Sequence, residues 1–288
     1  TVIEVVRENV AQKGTITVSK SGEVFSSVTE AGGMYQPVFA VGSLEGAVYE
    51  ITAAEDIYTL DGTLRASKGE VVDTITTGAD GTATSKELYL GSYEVKEITA
   101  PYGMVLNDEI HSVELIYAGQ EVAVTETSTS FYNERQKVEI DLTKSLEVDE
   151  DYGVGNNGEI FDVSFGLYAA EELTAADGTT IPADGLIEVI TLDENGHGKA
   201  VSDLPMGSYY VQEISTNAAY LKNETKYPVV FEYAGQETAV VSITANEGEA
   251  IENDLIYGSV SGKKSDEDGN ALGGALIGIF KTGTEEFT

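Results

Sequence analysis

The 288-residue chain has no cysteine, no tryptophan and only 5 prolines, and its 16 lysines and arginines face 50 aspartates and glutamates. Without cysteine there is no disulfide, no thiol nucleophile and no thiolate metal site. Any covalent reinforcement must come from other chemistry. The formal net charge of −34 repels nucleic acid and anionic lipid surfaces, which argues against both as partners. The lack of tryptophan weakens a sugar-binding reading, although 16 tyrosines remain. No apolar run reaches the length of a membrane span and no signal-peptide pattern occurs. We therefore expect no membrane insertion in this segment, and read it as an internal piece or one from which such parts were removed. Apolar residues still make up 41% of the chain, an ordinary share for a folded protein and too high for an acidic disordered tail.

Repetition is the dominant positive feature. "GSYEVKEI" at 91–98 returns as "GSYYVQEI" at 207–214, and "YAGQEVAV" at 117–124 returns as "YAGQETAV" at 233–240. The interval from Glu97 to Gln120 equals that from Glu213 to Gln236. "KGTITVSK", "VEIDLTK" and "GSVSGKK" end at Lys20, Lys144 and Lys264. The pattern is a tandem array with a period of roughly 120 residues. Short alternating runs lie between turn-formers such as "LDGTL", "GADGTAT" and "LDENGHG", so each copy reads as an all-β sandwich or small barrel. The joints "NERQKVEIDLTK" and "NDLIYGSVSGKK" are not Pro/Ser-rich linkers, which predicts a semi-rigid rod. Asn9 precedes Lys20 by the interval that separates Asn133 from Lys144 and Asn253 from Lys264. This spacing predicts the last strand of a preceding copy at 1–10, full copies at 11–135 and 136–256, and the opening strands of a third at 257–288. Asn9 and Lys264 would then be unpaired equivalents of the residues discussed next.

Side chains alternate across a strand. Lys20 shares parity with Ile16 and Val18, and Lys144 with Ile140 and Leu142. Glu97 follows Tyr93 and Val95, and Glu213 follows Tyr209 and Val211. Asn133 and Asn253 share a face with Phe131 and Ile251. Each copy thus aims one Lys, one Glu and one Asn at its core, where an unpaired charge is costly. Taken singly, these residues read as a buried ion pair with an Asn cap. Their joint recurrence raises a second reading, a Lys–Asn amide formed without an enzyme. Desolvation favours the neutral, nucleophilic amine. A buried carboxyl that keeps its proton polarises the Asn carbonyl and shuttles a proton to departing ammonia. The fold holds the reactants together at an effective molarity on the order of 10⁵ M.

The "GSYxVxEI" strand, with an upstream lysine and a terminal-strand asparagine, closely resembles the B-type repeat of collagen adhesins. These are prealbumin-like domains that also occur in pilins of Gram-positive bacteria. "EITAPYGMVLND" at 97–108 and "KKSDEDGNALGGALIGIF" at 263–280 look like further segments of that repeat. The resemblance implies tandem prealbumin-like/Ig-like sandwiches, with isopeptide bonds Lys20–Asn133 promoted by Glu97 and Lys144–Asn253 promoted by Glu213. It also implies a cell-wall-anchored extracellular stalk or pilus-type segment, with further repeats of the same protein as partners. No cofactor, no metal and no enzyme activity on an outside substrate are expected. Two departures stand out: "STNAAY" replaces the Ala-Pro segment in the second copy, and the first carries the insert "SGEVFSSVTEAGGMYQPVFAVGSLEG". That insert is either an elaborated surface loop or a loop through which an adhesin would bind a host protein or glycan. "YLKN" at 220–223 faintly resembles the lysine motif through which pilins are polymerised, but it lies where the loop after the glutamate belongs.

Overall fold

The computed structural model describes residue 3 and residues 9–280. Residues 1, 2 and 4–8 of the expected preceding strand, and 281–288 of the expected third copy, lie outside the described residues. Asn9 and Val10 are exposed in irregular backbone.

The first repeat runs β1 (Lys13–Ala31), β2 (Met34–Ser43), β3 (Val48–Ala53), β4 (Ile57–Tyr58), β5 (Leu64–Ala66), β6 (Val71–Thr76), β7 (Thr82–Thr84), β8 (Leu88–Tyr89), β9 (Gly91–Thr99), β10 (Ile110–Leu115) and β11 (Val124–Asn133). The second runs β12 (Lys137–Leu146), β13 (Ser164–Ala169), β14 (Leu173–Thr174), β15 (Thr180–Ile181), β16 (Leu186–Thr191), β17 (His197–Ala200), β18 (Gly207–Ser215), β19 (Tyr227–Phe231), β20 (Val240–Thr244) and β21 (Ile251–Asn253). Each repeat is a two-sheet sandwich. In the first, β1 sits between β11 and the strands β2, β7 and β8, opposite the sheet β10-β9-β3-β6. In the second, β12 sits between β17 and the pair β20 and β21, opposite β16-β13-β18-β19.

Alternation builds both cores. Ile16, Val18 and Phe131 from one sheet meet Tyr49, Ile51, Tyr93 and Val95 from the other. Ile140 and Leu142 meet Phe165, Leu167, Tyr209 and Val211 in the second repeat. Burying each such side chain contributes about 1.5–3 kcal/mol. The opening strand of each repeat pairs in parallel with its closing strand, β1 with β11 and β12 with β20 and β21.

The insert of the first copy is not a free surface loop but a strand hairpin packed on the second repeat. β1 and β2 continue past the sandwich as an antiparallel hairpin closed at Gly32 and Gly33, whose φ angles of 62° and 80° are those a two-residue hairpin turn requires. The hairpin lies on the second repeat, with Phe25, Val28 and Tyr35 packed against that repeat's core. The amides of Ala176 and Asp177 donate to the carbonyls of Phe25 and Ser26 at 3.0 and 3.1 Å. The Val28 amide donates to Thr179 Oγ1 at 2.7 Å, and Gln36 Nε2 donates to the Ile187 carbonyl at 2.8 Å.

Residues 257–280 form no strand. Their only ladder contact among the described residues is an isolated bridge, Ser265 to Ala271, around the turn that Asp266 caps. The opening strands expected here would need a facing sheet to bury their apolar side, and none of the described residues supplies one.

Candidate functional site

Lys20, Glu97 and Asn133 converge in the first sandwich, and Lys144, Glu213 and Asn253 converge in the second. All six are at most 3% exposed. The parallel register fixes the Lys–Asn approach in the same way twice. Asn133 lies opposite Gly22, two residues past Lys20, and Asn253 lies opposite Leu146, two residues past Lys144. The glutamates reach in from the facing sheet on β9 and β18.

In the first site, Lys20 Nζ donates to Asn133 Oδ1 and lies 3.0 Å from Glu97 Oε1. Asn133 Nδ2 donates to Glu97 Oε1 and Oε2 at 3.1 and 2.9 Å. Burial pushes the Lys20 amine below its ordinary range, and the Glu97 carboxylate opposes that shift. The rings of Tyr49 and Phe131, 4.9 Å apart, wall the amine off, each 5.8 Å from Nζ. His111 stacks on Phe131 with ring centroids 3.9 Å apart.

The second site is looser. Lys144 Nζ lies 3.9 Å from Glu213 Oε2 and donates instead to the carbonyls of Ser145 and Ile251 at 3.0 and 2.9 Å. Asn253 Nδ2 donates to Glu213 Oε1 and Thr216 Oγ1, both at 3.0 Å. Asn253 Oδ1 and Glu213 Oε2 are buried without a hydrogen-bond partner. Two acceptors left bare in a core are costly. Burial pushes the Lys144 amine down to about 8, against the opposing pull of Glu213.

Residues after each glutamate complete the frame. The amides of Asn107 and Asn223 donate to Glu97 Oε2 and Glu213 Oε1 at 2.9 and 3.3 Å. "YLKN" is part of the second of these loops. Tyr220 is buried, its hydroxyl donating to the Glu147 carbonyl at 2.8 Å, while Lys222 pairs with Glu224 at 3.4 Å. Asn9 and Lys264 are exposed, and among the described residues neither joins a Lys–Glu–Asn cluster. Sequence reasoning missed Tyr49, which sits opposite Glu97 across the β3–β9 ladder, and Thr216. The signal for Tyr49 was available: it alternates inward with Ile51 and Ala53.

The joint between the repeats is also built from side chains. Gln136 Nε2 donates to the carbonyls of Gly235 and Thr238 at 3.2 and 2.7 Å, and its Oε1 accepts from the Ala234 amide at 2.8 Å. Gln236 then binds the first repeat: its Oε1 accepts from the Ala100 amide and its carbonyl from the Leu106 amide, both at 2.9 Å. Tyr233 donates to the Met104 carbonyl at 3.0 Å and packs against Tyr102. Arg135 is buried over the Phe39 ring, paired with Glu23 at 3.3 Å and with Asp203.

Among the described residues no cluster of His, Cys, Asp or Glu suited to a metal occurs, and no helix is long and apolar enough to cross a membrane. The acidic turns use their carboxylates locally; Asp193, for example, accepts from the amides of Asn195 and His197 at 2.8 and 2.9 Å.

A family model described as a SpaA prealbumin-like fold domain matches residues 40–130 and again 144–247. Among solved structures, the Bacillus anthracis TIE protein is similar over 91% of this chain at 19% identity and a TM-score of 0.50, and the chain spans 41% of that protein's length. The minor pilin of the Gram-positive pathogen Streptococcus agalactiae is 20% identical over 87% of this chain and 100% of its own, with a TM-score of 0.30. The shaft pilin SpaA of Lactobacillus rhamnosus GG is 13% identical over 87% of this chain and 100% of its own, with a TM-score of 0.27. No curated protein matches the sequence.

Proposed function

The chain belongs to the SpaA family of prealbumin-like fold domains, and from that premise we propose that it is a structural stalk or pilus-type segment of a Gram-positive surface protein, locked by two self-formed Lys–Asn isopeptide bonds. Repeats 11–135 and 136–256 each carry one bond, Lys20–Asn133 and Lys144–Asn253. Residues 1–10 and 257–288 belong to neighbouring repeats of a cell-wall-anchored, extracellular array. The role is mechanical, and the only chemistry acts within the chain.

The observation that carries this reading is the dry Lys20–Glu97–Asn133 cluster bridging the opening and closing strands of a sandwich, together with its recurrence in the second repeat. Burial favours moving the Lys20 proton onto Glu97, which replaces two buried charges with two neutral groups. The free Nζ pair attacks Asn133 Cγ while Glu97 polarises the carboxamide. The proton released from Nζ passes through Glu97 to Nδ2. The Cγ–Nδ2 bond breaks, ammonia leaves, and the Nζ–Cγ amide remains with Glu97 still holding the first proton it took from Lys20. Asn133 Nδ2 already rests on the Glu97 carboxyl, where a proton for the leaving group is needed.

Closing a loop of 113 residues is worth roughly 4–5 kcal/mol by loop-entropy arithmetic. The mechanical consequence is larger. A parallel pair of terminal strands is loaded in shear when the ends are pulled apart, and a bond between them routes force from β1 directly into the chain after Asn133. Single-molecule pulling tests this. The natural chain should rupture without releasing either sandwich, whereas Lys20→Ala should release the 113-residue interval and add roughly 35–40 nm of contour length. The same added length in the natural chain would sink the stalk mechanism.

A further inference from the structure

The first repeat carries an open cleft of about 1040 Å³ at its amino-terminal end, bordered by Gln12, Tyr58, Leu60, Leu90, Tyr117 and Gln120. These positions have counterparts in the second repeat, and there Ala176, Tyr233 and Gln236, the counterparts of Leu60, Tyr117 and Gln120, are engaged by the first repeat. Gln12 holds its own loop as Gln136 does: its Oε1 accepts from the Ala118 amide at 2.9 Å, and its Nε2 donates to the carbonyls of Gly119 and Val122. Tyr117 and Gln120 occupy the places in "YAGQ" that Tyr233 and Gln236 occupy. Yet Tyr117 and Gln120 are exposed, whereas Tyr233 and Gln236 are half-buried against the first repeat.

The β4–β5 turn matches as well. Thr59 accepts from Gly62 and donates to Thr63, as Ala175 accepts from Gly178 and donates to Thr179. Leu60 and Asp61 therefore stand where Ala176 and Asp177 receive the hairpin of the preceding repeat. Leu60 is fully exposed at 110% and Tyr58 at 57%, an apolar projection that a solvated turn does not need.

We propose that this cleft is the docking surface for a preceding repeat of the same kind as residues 13–133. Such a repeat would lay its extended β1–β2 hairpin on the amides of Leu60 and Asp61, and its loop after the glutamate on Tyr117 and Gln120. The interface is head-to-tail, so it propagates along an array instead of closing into a dimer. Ala11 stands where Arg135 stands, so this joint forms without the buried guanidinium. The inference rests on the tandem-array reading and names the surface through which the array continues.

Hydrogen exchange tests it, first in the natural chain. Peptides spanning Thr174–Thr179 should exchange at least about tenfold more slowly than those spanning Tyr58–Thr63; equal rates would mean the cleft is already covered and would overturn the proposal. Residues 10–133 are then duplicated in register, Asn133 being followed by Val10, so that one cleft faces a preceding repeat and one remains open. The Tyr58–Thr63 peptide should split into a fast and a slow population of equal size, and Leu60→Asp in the downstream copy should abolish the slow one. A single fast population, with the Tyr93–Glu97 strand protected in both copies, would overturn the proposal. The intact mass of the same protein reports ammonia loss independently, so a failed docking surface and a failed crosslink are told apart.

Discussion

At the residue scale the two sites hold the same three side-chain types in different arrangements. In the first, amine, carboxamide and carboxyl touch one another. In the second, the amine is turned onto main-chain carbonyls and two acceptors are bare. In the proposed reaction both need the glutamate as a proton carrier. Glu97→Gln and Glu213→Gln preserve shape but cannot shuttle a proton, so each should leave its repeat folded and unlinked, with roughly 4–5 kcal/mol less stability. Complete crosslinking in either variant, read by mass, would reduce the glutamate to a packing role. Lys144 yields a pH test in Asn253→Ala, where its amine stays free. Its folded-state value of about 8 lies below the ordinary 10.5. Below about pH 8 both states hold the proton and the fold bears a buried charge. Between about 8 and 10.5 only the unfolded chain holds it, so stability should rise with pH across that window and level off above it. A melting temperature of the second repeat that falls or stays flat there would contradict the burial argument.

At the scale of elements, what was readable followed from periodicity. The inward direction of Lys20, Glu97 and Asn133 was legible because a strand has period two and a charge in an apolar register stands out. The β-sandwich architecture was legible from the spacing of turns. The hairpin was not, although "AGGM" between alternating runs is a two-residue turn signal, because the residues it covers belong to another repeat and nothing local marks them. The inward direction of Tyr49 was legible, but its place beside Glu97, like that of Thr216 beside Asn253, is set by strand pairing and loop return, which local spacing does not reveal. The hairpin also carries a prediction. Phe25→Ala should weaken the contact between repeats by about 1–3 kcal/mol and broaden the distribution of shapes seen in small-angle scattering, while both crosslinks persist. An unchanged scattering profile would show that the Gln236 and Arg135 contacts hold the joint alone.

At the scale of the whole molecule, the chain joins two sandwiches through side-chain contacts and a hairpin instead of a flexible linker, and it has no cysteine to reinforce them. Strong acidity keeps such a segment soluble but adds self-repulsion, which covalent closure of each repeat would offset. The account therefore stands or falls on those closures, and the intact mass of the purified chain tests them most directly. It should fall below the sequence mass by two molecules of ammonia, with digestion giving branched peptides that join Lys20 to Asn133 and Lys144 to Asn253. An unreduced mass with only linear peptides would contradict the account and leave two buried Lys–Glu ion pairs capped by asparagine.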